Sequence, residues 1–420
     1  MDIEIASYAR RFALLVDTLR PYQSCWNQSV LQAWPSCAAD LPESWFAAIR
    51  TLDQDQLYAL DFAICTGQSR EQEQSSLLPS SFLALIQGLE GLCEVPSPRT
   101  PSLAGGSNIK RMTAKKQHEI AAILPFIEEL HRQNAFLSIV DVGGGVGHLA
   151  RRVHFSTHLP TVSIDCDALL QAEGRLLYAE QKPAAWTSPL TFHTARLLPT
   201  AQADIDPLFE PQSLSMGLHT CGPLALDLMA KSHACSSLLN FACCYDRMDP
   251  ERDYGRSQLA KEHPLALQRY AFFLATRGRC KTRAEFKRQE RVNTYRFALG
   301  QFLQAEGLAV GFMSVGDANQ AAYDGEFADY AANRFEALGL TSRYASQRAA
   351  LFFQDPAIQR DMRDFFYVNI VRNIFSRPIE MLILFDRMAL LEEVGWTVGL
   401  RQFFDPQLSP RNLGLVALRR

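Results

Sequence analysis

No run of apolar residues in this chain approaches the roughly 20 that a bilayer-crossing helix needs, which excludes a helical membrane span. Nor does either charge dominate, since 42 Lys and Arg face 45 Asp and Glu. The chain as a whole therefore carries no polyanion signal, and a nucleic-acid surface has to come from local clustering. The start, Met1-Asp2-Ile3-Glu4-Ile5, is acidic and lacks the apolar core of a secretory signal. Ten cysteines show no repeating spacing, so reduced thiols in a cytoplasmic protein are expected. Internal repeats and low-complexity tracts are absent too.

At 420 residues, 47% hydrophobic and 21% charged, the chain can bury a large core and is too long for one ordinary domain. The first hundred residues read as helical. Apolar positions recur through Ile5–Leu15, three Trp follow (Trp26, Trp34, Trp45), and a helix starts at Pro42 and reaches about Arg50. A breaker-rich linker from Pro96 to Gly106 ends this region. Thr113 then suits the N-cap of a helix whose apolar face runs through Ile120, Ile123, Leu124 and Ile127.

From Phe136 the period changes. Phe136–Val142 is a short, nearly continuous apolar run, as buried parallel strands require. A helix pattern (Leu149–Val153) and further strands follow at Thr161–Ile164, Leu190–His193, Leu214–His219 and Ser237–Ala242, with a helix at Leu224–Met229. Such alternation implies a parallel sheet with right-handed crossovers. From about Pro250 to Asn373 the pattern is helical and strand-poor. A helix from about Glu380 to Glu393 then precedes two strands, Trp396–Phe404 and Leu413–Leu418, whose short connection forces antiparallel pairing. The expected architecture is an α/β, Rossmann-like class I methyltransferase sheet, parallel with a terminal antiparallel hairpin. Its expected pieces are a helical N-terminal domain (1–107), the core (108–250), a helical insertion or cap (251–372) and a closing helix and hairpin (373–420).

The turn Asp141-Val142-Gly143-Gly144-Gly145-Val146-Gly147 lies between the first strand and a helix. Glycines there allow a tight turn and close ligand approach, and free N–H groups at the helix start can hold an anion. A pyrophosphate fingerprint needs G-x-G-x-x-G/A; counting from Gly143 its last position is His148, and counting from Gly144 its second is Val146. The dinucleotide reading fails on that spacing. Glycines that serve only a tight turn are one reading left; Asp165 at the right offset and the terminal hairpin favour the other, S-adenosylmethionine, with its carboxylate on the turn (Gly143, Gly145, Gly147), its ammonium near Asp141 and its ribose on Asp165, which ends the second strand.

Ligands in open parallel sheets bind beyond the carboxyl ends of the strands. Two clusters fall there: His219-Thr220-Cys221-Gly222-Pro223 after strand four, and Cys243-Cys244-Tyr245-Asp246 after strand five. His219 is the candidate base if the acceptor carries a proton, and Tyr245 could stack on a flat substrate. Cys166 and Cys235 read as small buried hydrophobes. Cys221, Cys243 and Cys244 match no standard zinc spacing, so no metal is expected; covalent thiolate attack on a pyrimidine is the other open role.

Met112-x-x-Lys115-Lys116-x-His118-Glu119, the Asp141 turn, Leu218-His219-Thr220-Cys221-Gly222, Cys243-Cys244-Tyr245 and Ser409-Pro410-Arg411-Asn412 together resemble the methyltransferase-like protein 25 family over nearly the whole chain. The resemblance implies an S-adenosylmethionine-dependent methyltransferase, with Lys116 and His118 beside the cofactor and Cys243 and Cys244 beside the substrate. Lys115 and Glu119, four apart, also suit a surface ion pair. The His-x-Cys-Gly and Cys-Cys blocks look like those of tRNA 2′-O-methyltransferases of the acceptor stem, which points to RNA. One departure stands out: the family continues Cys-Cys-Tyr with His, and this chain has Asp246. If that His assists chemistry, its role here is altered at Asp246 or has moved to His219.

The best local charge clue is Arg277 to Arg296. It holds Arg277, Arg279, Lys281, Arg283, Lys287, Arg288, Arg291 and Arg296 against Glu285 and Glu290, with Phe286 and Tyr295 interleaved. Arg283, Lys287 and Arg288 are the expected RNA contacts, although a solvated helix face has the same composition. Three function classes remain: an RNA methyltransferase, a protein or small-molecule methyltransferase, and a non-catalytic binder on the same scaffold.

Overall fold

The computed structural model describes residues 5–66, 77–97, 112–276, 278, 282–308, 314–341 and 346–419. The linker residues 98–106 and the basic residues Arg277, Arg279 and Lys281 lie outside them. The chain divides into two compact units, one made of Met1–Asp17, Leu92–Thr276 and Pro378–Arg420, the other of Thr18–Gly91 and Arg277–Arg377. Most of the N-terminal helical region and most of the insertion, separate in sequence, thus share one unit, and every described element in it is helical.

The first unit holds one seven-stranded sheet. Its strands are β1 (Ser138–Val142), β2 (Thr161–Asp165), β3 (Leu190–Thr194), β4 (Ser213–Cys221), β5 (Ser237–Cys243), β6 (Trp396–Gln402) and β7 (Leu413–Arg419), in the spatial order β3-β2-β1-β4-β5-β7-β6. The pairs among β1 to β5 are parallel, and β7 runs antiparallel to both β5 and β6. This is the class I methyltransferase sheet, and its order reverses between β1 and β4, where such folds bind ligands.

The helix Ala114–Asn134 starts at Thr113, whose hydroxyl accepts the Lys116 N–H, and stops at Ala135 in the left-handed region (φ 47°). Its buried Ile120, Ile123, Ile127 and Leu130 follow the helical period and pack with Ile139, Met216, Leu218, Leu239 and Phe241 from the sheet. The turn helix His148–Thr157 adds Leu149 and Val153 to that core. A helix not read in the sequence, Ala168–Gln181, is capped by Asp167, which accepts the Leu169 and Leu170 N–H groups. It contacts β2 and β3, and Leu224–Lys231 contacts β4 and β5. Among the described residues no helix is long and apolar enough to cross a membrane.

Candidate functional site

Gly143, Gly145 and Gly147 all adopt positive φ (71°, 56° and 68°), a region other L-residues enter at a cost of about 1–2 kcal/mol. Gly147 is also closed in by the protein: a Cβ there would lie 2.6 Å from Phe192. A Cβ on Gly145 would meet nothing nearer than Leu170 at 3.9 Å, so this glycine leaves open space. The amides of the turn differ from the sequence expectation that they are free. Gly143 and Gly144 donate to the Ile164 carbonyl, Gly147 to the Gly144 carbonyl, and Gly145 to Asp165 Oδ2 at 2.8 Å. Four amides thus shape the turn itself, and an anion there has to compete with protein acceptors.

What the turn does leave unsatisfied is Asp141. It is buried at the end of β1, the Ala150 amide donates to it, and its Oδ2 has no hydrogen-bond partner. Burial pushes its carboxyl up to about 7, opposed by the nearby Lys116 ammonium and reinforced by Asp165. A buried acceptor without a donor is costly, and a ligand ammonium would relieve it. Asp165 accepts from Gly145 and from the Asp167 N–H, and its half-exposed carboxylate keeps lone pairs for hydroxyl donors. Beside it Leu169 and Leu170 are 82% and 37% exposed, an apolar ledge the sequence reading missed. Asp141, Lys116, Asp165 and this ledge fit the ammonium, carboxylate, ribose and purine of S-adenosylmethionine.

Glu119, whose spacing from Lys115 also suits a surface ion pair, is 1% exposed. Its Oε2 accepts from His219 Nε2 at 3.0 Å, its Oε1 from Ser409 Oγ at 2.8 Å, and Lys115 Nζ lies 3.6 Å away. Burial works to raise its carboxyl, yet His219, Ser409 and Lys115 outweigh this and hold it below the usual range. His219 reaches Glu119 because β4 bulges between Leu218 and Thr220, with His219 at φ 66°. With Nε2 facing the carboxylate, the other ring nitrogen is the open one. His118, expected at the cofactor, is 5% exposed, and its Nε2 accepts the Asp405 N–H at 3.1 Å. It ties the helix to the connection after β6.

The two strand-end clusters converge. Cys221 Sγ lies 3.3 Å from Cys243 Sγ and 3.3 Å from Cys244 Sγ, and Cys243 and Cys244 are 3.6 Å apart. The S–H groups around it hold Cys221 down at about 6, with Cys243 the largest cause, while the thiols of Cys243 and Cys244 are raised. Tyr245 does not face a substrate: it is 1% exposed, its hydroxyl donates to Glu380 and Arg387 lies over its ring at 5.7 Å. Asp246 is half-buried; its N–H donates to Thr276, and its Oδ1 is buried without a partner. Cys235 is buried as expected, whereas Cys166 is exposed.

Within the helical unit, Arg283, Lys287, Arg288 and Arg291 are exposed on the helix Arg283–Ala305, which Thr282 and Glu285 start with a capping box. Arg283 pairs with Asp55 at 3.2 Å. The aromatics expected beside them turn inward: Phe286 (2% exposed) packs on Tyr58 and Phe366, and Tyr295 (9% exposed) on Phe327 and Phe353. They cannot stack on bases. Lys287, Arg291 and Arg363 do line a cavity of about 390 Å³, together with Gln54, Glu290 and Tyr295.

A family described as a methyltransferase domain matches residues 115–251, which span the helix before β1 through the Cys243-Cys244 block. These residues match a methyltransferase domain and carry the first five strands of the class I sheet order. The chain is similar to probable methyltransferase-like protein 25 of Mus musculus, 24% identical over 273 residues, covering 60% of this chain and 44% of that protein. The Homo sapiens protein of that name is 25% identical over 234 residues, covering 49% and 37%. This chain thus spans less than half the length of these curated relatives. A solved structure, coclaurine N-methyltransferase bound to N-methylheliamine and SAH, aligns over 88% of this chain at 10% identity with a TM-score of 0.26, too low to inform the fold.

Proposed function

We propose that the chain transfers a methyl group from S-adenosylmethionine to RNA, with His219 as the base. The observation that carries the transfer reading is the buried, partnerless Oδ2 of Asp141 beside the glycine turn. That oxygen suits the cofactor's ammonium, Lys116 its carboxylate and Asp165 its ribose. When bound, the cofactor supplies an electrophilic methyl on a sulfonium. Displacement of this kind needs alignment first and a proton acceptor second. His219 offers its open ring nitrogen to the acceptor group, and Glu119 at 3.0 Å stabilises the imidazolium that results.

Three things favour RNA: the exposed Arg283, Lys287 and Arg288, the cationic cavity formed by Lys287, Arg291 and Arg363, and the likeness of the His-x-Cys-Gly and Cys-Cys blocks to tRNA methyltransferases. Phosphate contacts from these cations would be salt-sensitive. The test is transfer of a labelled methyl group into fractionated RNA, protein and metabolite pools. Label is expected in RNA. Neutralising Arg283, Lys287 and Arg288 together should weaken RNA binding and lower its salt slope by about three. Label confined to protein or metabolites would overturn the RNA reading, and no label in any pool would overturn the transfer itself.

A further inference from the structure

The three thiols at the ends of β4 and β5 lie outside the transfer chemistry derived above. Cys221 and Cys243 are direct partners across the parallel β4–β5 pair, and Cys244 follows at once in a left-handed turn (φ 48°) that brings its sulfur back to the same point. Among the described residues this is the one cluster of three or more Cys, His, Asp or Glu with all ligand atoms within 4.8 Å of each other. Three sulfurs around a tetrahedral zinc, at about 2.3 Å from the metal, stand about 3.8 Å apart. The observed separations of 3.3, 3.3 and 3.6 Å need only a few tenths of an ångström of opening.

The surroundings suit a cluster of thiolates. Arg387 is 2% exposed, and its Nε and Nη1 have no hydrogen-bond partner. A buried, half-satisfied guanidinium is costly on its own. It interacts electrostatically with Cys243, and Arg247 does so with Cys221. Three thiolates and one divalent ion leave a net negative charge, which this buried cation offsets. Cys243 is buried, whereas Cys221 and Cys244 are only half-buried, so the side of the cluster they flank is open to a fourth ligand.

We propose that Cys221, Cys243 and Cys244 bind one Zn²⁺ ion through three thiolates, leaving the fourth position to water or an incoming group. On binding, three S–H protons pass to solvent as three Zn–S bonds form, with no change of oxidation state. The inference does not depend on methyl transfer, and its test reads the metal alone. Full-length protein purified under reducing conditions should carry one equivalent of zinc. Replacement with Co²⁺ should produce a thiolate-to-metal charge-transfer band. Cys221→Ser, Cys243→Ser and Cys244→Ser should each lose the band and the zinc, while Cys166→Ser, whose thiol is exposed, should keep both. Circular dichroism of each variant separates lost metal from lost fold. Folded, reduced protein without stoichiometric zinc, or a Cys221→Ser variant that retains the band, would overturn the proposal.

Discussion

The two halves of the sheet's carboxyl edge are built by opposite means. At β1 and β2 the site comes from one local stretch, in which Asp141, the glycine turn and Asp165 lie within 25 residues and are fixed by turn chemistry. At β4 and β5 it is assembled from afar: Glu119 meets His219 across 100 residues of chain, and Ser409 meets Glu119 across 290. The second half depends on pairs that only the finished fold brings together.

The sharpest way to break this contrast is inside the turn. Gly147→Ala adds a Cβ 2.6 Å from Phe192 in a left-handed residue, so strain and overpacking together should cost about 3 kcal/mol in denaturant unfolding. Gly145→Ala, with open space around it, should cost only about 1–2 kcal/mol from its φ. Equal losses would mean that Phe192 yields and the turn is not locally locked.

Next comes the distant pair. His219→Ala should lower kcat roughly a hundredfold with little change in cofactor affinity, as removal of a general base does. Glu119→Ala should lower kcat similarly and also cost about 2 kcal/mol of stability, because it frees Ser409 and His219 from a buried carboxylate. An unchanged rate in His219→Ala would remove it from the reaction and leave the pair a structural tie.

The remaining test is in pH. The folded state holds Asp141 at about 7, above its ordinary value of 3.8, so the folded protein keeps a proton that the unfolded chain has released. Stability from this group therefore falls as pH rises from about 4 to about 7, then levels. The slope should vanish in Asp141→Asn. A cofactor ammonium favours the ionised form, so calorimetric affinity should weaken as pH falls through about 7 in the natural protein and not in the variant. An identical profile in both would dissociate Asp141 from the cofactor.

The same contrast explains what could be read in advance. The strands were legible because short apolar runs between breakers admit little else, and the turn because its glycines answer to backbone sterics. The burial of Glu119 was not legible because Lys115 at i−4 equally suits a solvated pair, and nothing in the sequence near it points to Ser409. Tyr245 and the aromatics of the basic helix carry both an apolar body and a polar setting, so burial decided their role. Cys221, Cys243 and Cys244 could be grouped at neighbouring strand ends, but members 22 and 23 positions apart follow no standard ligand spacing, and their convergence depends on strand pairing.

The single extra residue in β4 has a double effect. Before it, Leu218 faces Phe241; after it, Thr220 faces Ala242 and Cys221 faces Cys243. Were His219 held in a regular ladder instead, it would face Ala242, Thr220 would face Cys243 and Cys221 would face Cys244, so Cys221 and Cys243 would no longer be direct partners. One irregularity therefore throws the imidazole out of the ladder and sets the parity that gathers the sulfurs, so neither feature can be lost without disturbing the other.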